Sequence, residues 1–146
     1  MKKKNLFIFI LIFILFHGCG YEPIYSSKNF SFKINQIDYE NNKINNQVAR
    51  NLKAISNQDG KNNLNLSFSS IKEKTVISKD KSGDPQLFEL SISILIKINE
   101  EQKTFTKSQI YNSNENKFEL NEYEIELEKQ IINNIIGEIL IYLGKF

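Results

Sequence analysis

Cys19 carries the only thiol of the 146-residue chain, and His17, two positions earlier, the only imidazole. A thiol in that setting could be a nucleophile, a metal ligand, an inert buried group or a point of covalent attachment. A nucleophile needs a base and a packed pocket. Zinc needs a set of Cys, His or carboxylate ligands, and a lone thiol cannot close an intramolecular disulfide. Position 19 lies outside any plausible folded domain, just after Leu6–Phe16, an unbroken apolar run that reads LFIFILIFILF. Attachment is the chemistry that suits an exposed position there.

Lys2, Lys3 and Lys4 precede the run, and no acidic residue appears before Glu22. About eleven helical residues cover only ~16 Å at ~1.5 Å each, roughly half of a ~30 Å hydrocarbon core. The length is that of the apolar region of a secretory signal peptide. Gly18-Cys19 at its end resembles the lipobox of bacterial lipoproteins, with Phe16 and His17 standing where the usual pattern has Leu and a small residue. The resemblance implies cleavage after Gly18, a diacylglycerol on the Cys19 sulfur and acylation of the new amine. Gly20 replaces the aspartate that retains such proteins at the inner membrane, which implies the outer membrane. One acyl chain is a marginal anchor at ~0.8 kcal/mol per buried CH₂, whereas a triacylated cysteine is a lasting one. An ordinary secreted protein, or an uncleaved anchor with a free thiol, is the alternative. The chain thus divides into a signal peptide (1–18), a lipidated tether (19–28) containing Pro23, and a single domain (29–146).

Removing the leader takes away the only His and the only Met, and the chain has no Trp. No Cys/His zinc set, Ser–His pair or haem ligand set is left, and the glycines occur singly, so no phosphate loop is expected. Catalysis by carboxylates alone needs a converging pair. Glu122, Glu124, Glu126 and Glu128 alternate along a helical stretch and are read as a solvated, dipole-compatible surface. The expectation is a non-enzyme without cofactor or metal. Lys+Arg number 19 against 17 Asp+Glu; without the three leading lysines the net charge is near −1, and a nucleic-acid partner is not indicated.

Several elements must then carry whatever surface does the work. Phe30, Phe32 and Ile34 alternate with polar residues, and Ile37 and Tyr39 follow in shifted phase, a bulge or the end of the strand. Asn41 or Asn42 caps a helix with Ile44, Val48, Leu52 and Ile55 on one face, closed by Gln58-Asp59-Gly60. A strand restarts at Leu64, Leu66 and Phe68 and runs to about Ile77. Lys79–Pro85 is a turn. Phe88, Leu90, Ile92, Ile94, Ile96 and Ile98 then alternate with Glu89, Ser91, Ser93, Leu95 and Lys97, one packed face and one wet. A loop over 99–102, a polar strand over 103–111 and a second loop over 112–117 lead to a helix from about Asn121 to Leu143. The fold class is α+β: two helices on one face of a four-stranded, mainly antiparallel sheet, in the order β-α-β-β-β-α. The other sheet face, with Ser91, Ser93 and Lys97, stays open to water or to a partner.

The start of the mature chain, CGYEPIY, resembles the CGF-x-PLY start of the lipopolysaccharide-assembly lipoproteins, the LptE family, at Cys19, Gly20, Tyr21, Pro23, Ile24 and Tyr25. A strand pair ending in Tyr111-Asn112 and a long C-terminal helix are similar to the same family, and the element order agrees over the mature chain. The resemblance implies a lipid-anchored protein on the periplasmic face of the outer membrane. Its partner would be a large β-barrel lipopolysaccharide-assembly protein, in which it serves as plug and assembly subunit. Its other partner would be lipopolysaccharide itself. Many members carry an Arg just before the third strand, where this chain has Gln86-Leu87; Lys97, Lys103 and Lys107 lie nearby and are the candidate lipopolysaccharide contacts. Strand lysines also serve simply to blunt edge pairing. A generic envelope lipoprotein with a structural or chaperone role in another outer-membrane complex, and a secreted binding module, remain open at this point.

Overall fold

The computed structural model describes residues 32–56, 60 and 62–146. The leader, Cys19, the tether and the predicted strand start at Asn29 lie outside the described residues. The elements are β1 (Phe32–Tyr39), α1 (Lys43–Ile55), β2 (Asn62–Lys79), β3 (Pro85–Ile98), β4 (Glu101–Asn112) and α2 (Lys117–Leu143). They follow the expected order β-α-β-β-β-α. The sheet order is β1-β2-β3-β4, with β1 parallel to β2 and the other pairs antiparallel. The sheet is therefore mixed. α1 is the crossover that a parallel pair requires.

β1 shows why its phase shifts. Ile34 pairs with Leu64, the register slips between Ile34 and Gln36, and Ile37 and Tyr39 then pair with Leu66 and Phe68. The slip is a bulge at Asn35, which returns both later side chains to the core side. Tyr39 stacks on Phe68 with ring centroids 5.2 Å apart.

Both helices begin at asparagine caps. Asn42 Oδ1 accepts the Asn45 amide at 2.8 Å, and Asn116 Oδ1 accepts the amides of Phe118 and Glu119. The long helix thus starts at Lys117, four residues ahead of the expected Asn121. The β3–β4 connection is tighter than the expected four-residue loop. Asn99 and Glu100 alone make it, with Asn99 at φ 52°, a region that Asn enters more readily than most residues.

Phe88, Leu90, Ile92, Ile94, Ile96 and Ile98 of β3 are all buried, and so are Ile131, Ile132, Ile135, Ile139 and Leu143 of α2. Helix α2 lies over β4 and β3, and α1 over β1 and β2. The core is the layer between them. At one end, Asn62 of β2 donates to the carbonyl of Phe146, and Tyr142 donates to Glu101 at 3.1 Å. That end also holds the start of β1, opposite Asn62. The β2–β3 turn and the start of α2 lie at the other end, some 60 Å away by the length of the 18-residue β2 at ~3.3 Å per residue.

Candidate interaction surface

The face of the sheet turned away from the helices is set by the strand period. Residues between the buried positions of β3 align across three strands: Ser69–Leu95–Thr104, Ile71–Ser93–Thr106 and Glu73–Ser91–Ser108. The central cross-strand pair, Ser93 and Thr106, is hydrogen-bonded hydroxyl to hydroxyl at 2.8 Å. No helix covers these rows among the described residues. The surface is flat, rich in hydroxyls and low in charge, with Ile71, Leu95 and Ile110 exposed on it. Such a face can offer hydrogen bonds and small apolar contacts over a wide area.

The three candidate lysines do not share it. Lys97 lies on the open face, between Ser67 of β2 and Gln102 of β4. Lys103 and Lys107 pair with Ile96 and Ile92, so their side chains rise on the helix side. The Lys103 ammonium stands over the rings of Phe105 and Tyr142, 5.0 and 4.9 Å from the centroids. Lys107 is bound 2.6 Å from Glu138 of α2. Lys103 and Lys107 thus form a margin between β4 and α2, and Lys97 stands apart on the opposite side. Cys19 lies outside the described residues.

The acidic row of α2 divides in two. Glu122 and Glu126 are exposed, as expected. Glu124 and Glu128 face the sheet. Lys74 approaches Glu124 at 2.5 Å, and Tyr111 donates to the same carboxylate oxygen at 2.8 Å. Glu128 is gripped from both sides, by Lys43 of α1 at 2.9 Å and by Lys72 of β2. The cause is two periods meeting. Residues four apart share one face of a helix. Lys72 and Lys74 continue the two-residue phase of Leu64, Leu66 and Phe68 onto the helix side. Either signal was present in the sequence; their conjunction requires knowing that β2 outruns α1.

Burial pushes the Glu128 carboxyl up, but the ammoniums of Lys72 and Lys43 outweigh it and hold it below the ordinary value of 4.5. Burial also raises the Tyr111 phenol, reinforced by its bond to the Glu124 carboxylate. A carboxyl depressed in the folded state adds stability above its unfolded value, and that contribution is lost as the pH falls through the folded one. Acidification below about 4.5 should therefore loosen the α2–β2 seam before the core. Glu128→Gln should cost about 1–2 kcal/mol at neutral pH, less than a fully buried pair, because both lysines can rehydrate. Glu128→Leu should cost less than the glutamine. Urea melts of the two variants at pH 7 and pH 4 check this; the gap between wild type and Glu128→Gln should narrow at the lower pH.

A concavity of about 560 Å³ lies between the end of β4 and the start of α2, lined by Tyr111, Asn112, Asn114, Glu119 and Tyr123 among others. A smaller one of about 320 Å³ holds Lys43, Ser70, Lys72 and Glu128. Among the described residues no three His, Cys, Asp or Glu side chains converge as a metal site, and no helix is long and apolar enough to cross a membrane.

Two solved structures superpose on this arrangement of sheet and helices. Uncharacterized lipoprotein B from Nitrosomonas europaea matches with a TM-score of 0.57 at 16% identity, over 76% of this chain and 83% of its own. Rare lipoprotein B from Shewanella oneidensis matches with a TM-score of 0.51 at 15% identity, over 74% of this chain and 95% of its own. This chain has the fold of those two proteins. At such identities the likeness extends to the fold alone. No family model matches the sequence, and no curated protein does.

Proposed function

We propose that this chain is an outer-membrane lipoprotein, anchored through Cys19 at the periplasmic face. There it serves as plug and assembly subunit of the β-barrel translocon that inserts lipopolysaccharide into the outer leaflet. The observation that carries the reading is the uncovered, hydroxyl-rich sheet face, in a domain whose fold recurs in proteins named as lipoproteins. A face of that kind suits the polar interior of a wide barrel. The lipobox-like Gly18-Cys19 and the CGYEPIY start supply the anchor and the family resemblance. Lys97 is the lysine of the docking face; Lys103 and Lys107 would meet lipopolysaccharide phosphates only along the β4–α2 margin.

Mild-detergent extraction of membranes should yield the chain with a barrel protein several times its mass. Depletion should lower surface lipopolysaccharide. Recovery as a free monomer, with surface lipopolysaccharide unchanged, would overturn the reading in favour of a different envelope role. Mass spectrometry of the mature N-terminus should find a triacylated Cys19. Cys19→Ala should leave the folded domain intact and release it from the membrane fraction.

A further inference from the structure

β1 accompanies β2 only as far as the Tyr39–Phe68 pair, and β2 continues to Lys79. From Ser69 to Lys79 the strand has β3 on one side and, among the described residues, no strand on the other. Every residue from Ile71 to Ile77 is exposed, on both faces of the sheet. Ile71, Val76 and Ile77 are the apolar members. An unpaired edge leaves alternate N–H and C=O groups pointing outward, a template for another strand.

Natural edges are usually guarded by lysines that project across them. Here two of the three lysines of this segment, Lys72 and Lys74, are drawn away. Lys72 reaches Glu128 and Lys74 reaches Glu124, both on α2, and Lys74 also lies 4.3 Å from the centre of the Phe88 ring. With Lys43 on the same carboxylate, three ammoniums face two carboxylates. The helix side of the edge is left with surplus positive charge; the open side carries Ile71, Glu73 and Thr75, and Ile77 sits where the β2–β3 register shifts.

We propose that this edge is completed by an extended, carboxylate-bearing segment of the barrel protein, an inference that rests on the function proposed above. Its backbone would pair with β2 from Ser69 to Val76, before the register shifts that follow. Its acidic side chains would lie toward Lys43, Lys72 and Lys74, and its aliphatic ones against Ile71 and Ile77. Two-fold antiparallel pairing of a second copy centred on Lys72, Glu73 or Lys74 sets lysine opposite lysine, and like charges directly opposite are destabilising.

Amide hydrogen exchange of the purified chain and of its complex with the barrel protein tests the proposal. In the complex, alternate amides between Ser69 and Val76 should become protected, and carbodiimide should couple Lys72 or Lys74 to an acidic residue of the barrel. Ile71→Lys/Ile77→Lys should lower the yield of complex about tenfold with the melting temperature unchanged, since both side chains are already exposed. A complex that forms while these amides exchange as fast as in the free chain overturns the inference and leaves the proposed function standing. Concentration-dependent protection in the free chain would assign the edge to a second copy and also overturn it. Failure to form any complex removes the proposed function together with this partner.

Discussion

Gly60→Ala is expected to destabilise the domain by about 3 kcal/mol, the upper range for overpacking, and to lower its melting temperature on the order of 10 °C. A Cβ at position 60 would stand 2.5 Å from the carbonyl carbon of Phe32 and 2.7 Å from the amide nitrogen of Lys33. Both are backbone atoms of β1, and β1 is fixed by its pairing with β2, so neither can swing aside as a side-chain tip would. Glycine here serves close approach rather than an unusual dihedral angle. Gly83 provides the contrast. It sits in the β2–β3 turn at φ 90° with open space around it, and Gly83→Ala should cost about 1 kcal/mol through backbone strain alone. Thermal melts of the two variants separate the causes. If Gly83→Ala proved the costlier, the contact between residue 60 and β1 would not be what holds that corner together.

The alternation of β3 was legible from the sequence because that strand is buried on one side along its whole length. Six aliphatic or aromatic residues in register admit no other assignment. The phase shift in β1 was legible but not its form: a bulge and the end of the strand both stayed open, and the pairing of Ile37 and Tyr39 with Leu66 and Phe68 decides for the bulge. The parallel pairing of β1 was not legible. It depends on α1 carrying the chain back to the starting end of the sheet, which periodicity within a strand does not encode. The tight β3–β4 turn was hidden because Glu101 and Gln102 are polar strand residues on an outer strand, and polarity there reads as loop. The early start of α2 was hidden for a related reason: from Lys117 to Asn121 only Leu120 is buried, and the cap at Asn116 was the sole local cue. The candidate surface was half legible. Ser91, Ser93 and Lys97 were placed on the open face correctly, but Lys103 and Lys107 belong to the helix side. Their side follows from the two-residue phase they share with the buried Phe105 and Tyr111, opposite Ile96 and Ile92; a turn of two or of four residues leaves that side unchanged. The Glu124 and Glu128 contacts needed long-range knowledge.

Ile94→Ala should cost about 2–5 kcal/mol, whereas Leu95→Ala, one residue on, should cost under about 1 kcal/mol in the isolated domain. The two side chains are of equal size and leave the same strand in opposite directions. Ile94 has no exposure and is packed in the core beneath the helices, while Leu95 is 38% exposed on the open face. Removing the first leaves a void that neighbours held by sheet pairing fill only partly, so the cavity adds to the lost transfer energy. Removing the second uncovers little that was dry. Denaturant melts should show Ile94→Ala with a lower midpoint and Leu95→Ala close to wild type. A nearly equal loss at both positions would mean that the face opposite the helices is covered in the isolated domain, and the surface on which the proposed function rests would not be free. If the face is instead closed by a partner, the cost of Leu95→Ala should emerge only in the complex, as faster dissociation at unchanged domain stability. An aliphatic side chain in the middle of a hydroxyl-rich sheet is then an anchor for whatever lies across it, and the hydroxyls around it set its register rather than supply most of the affinity.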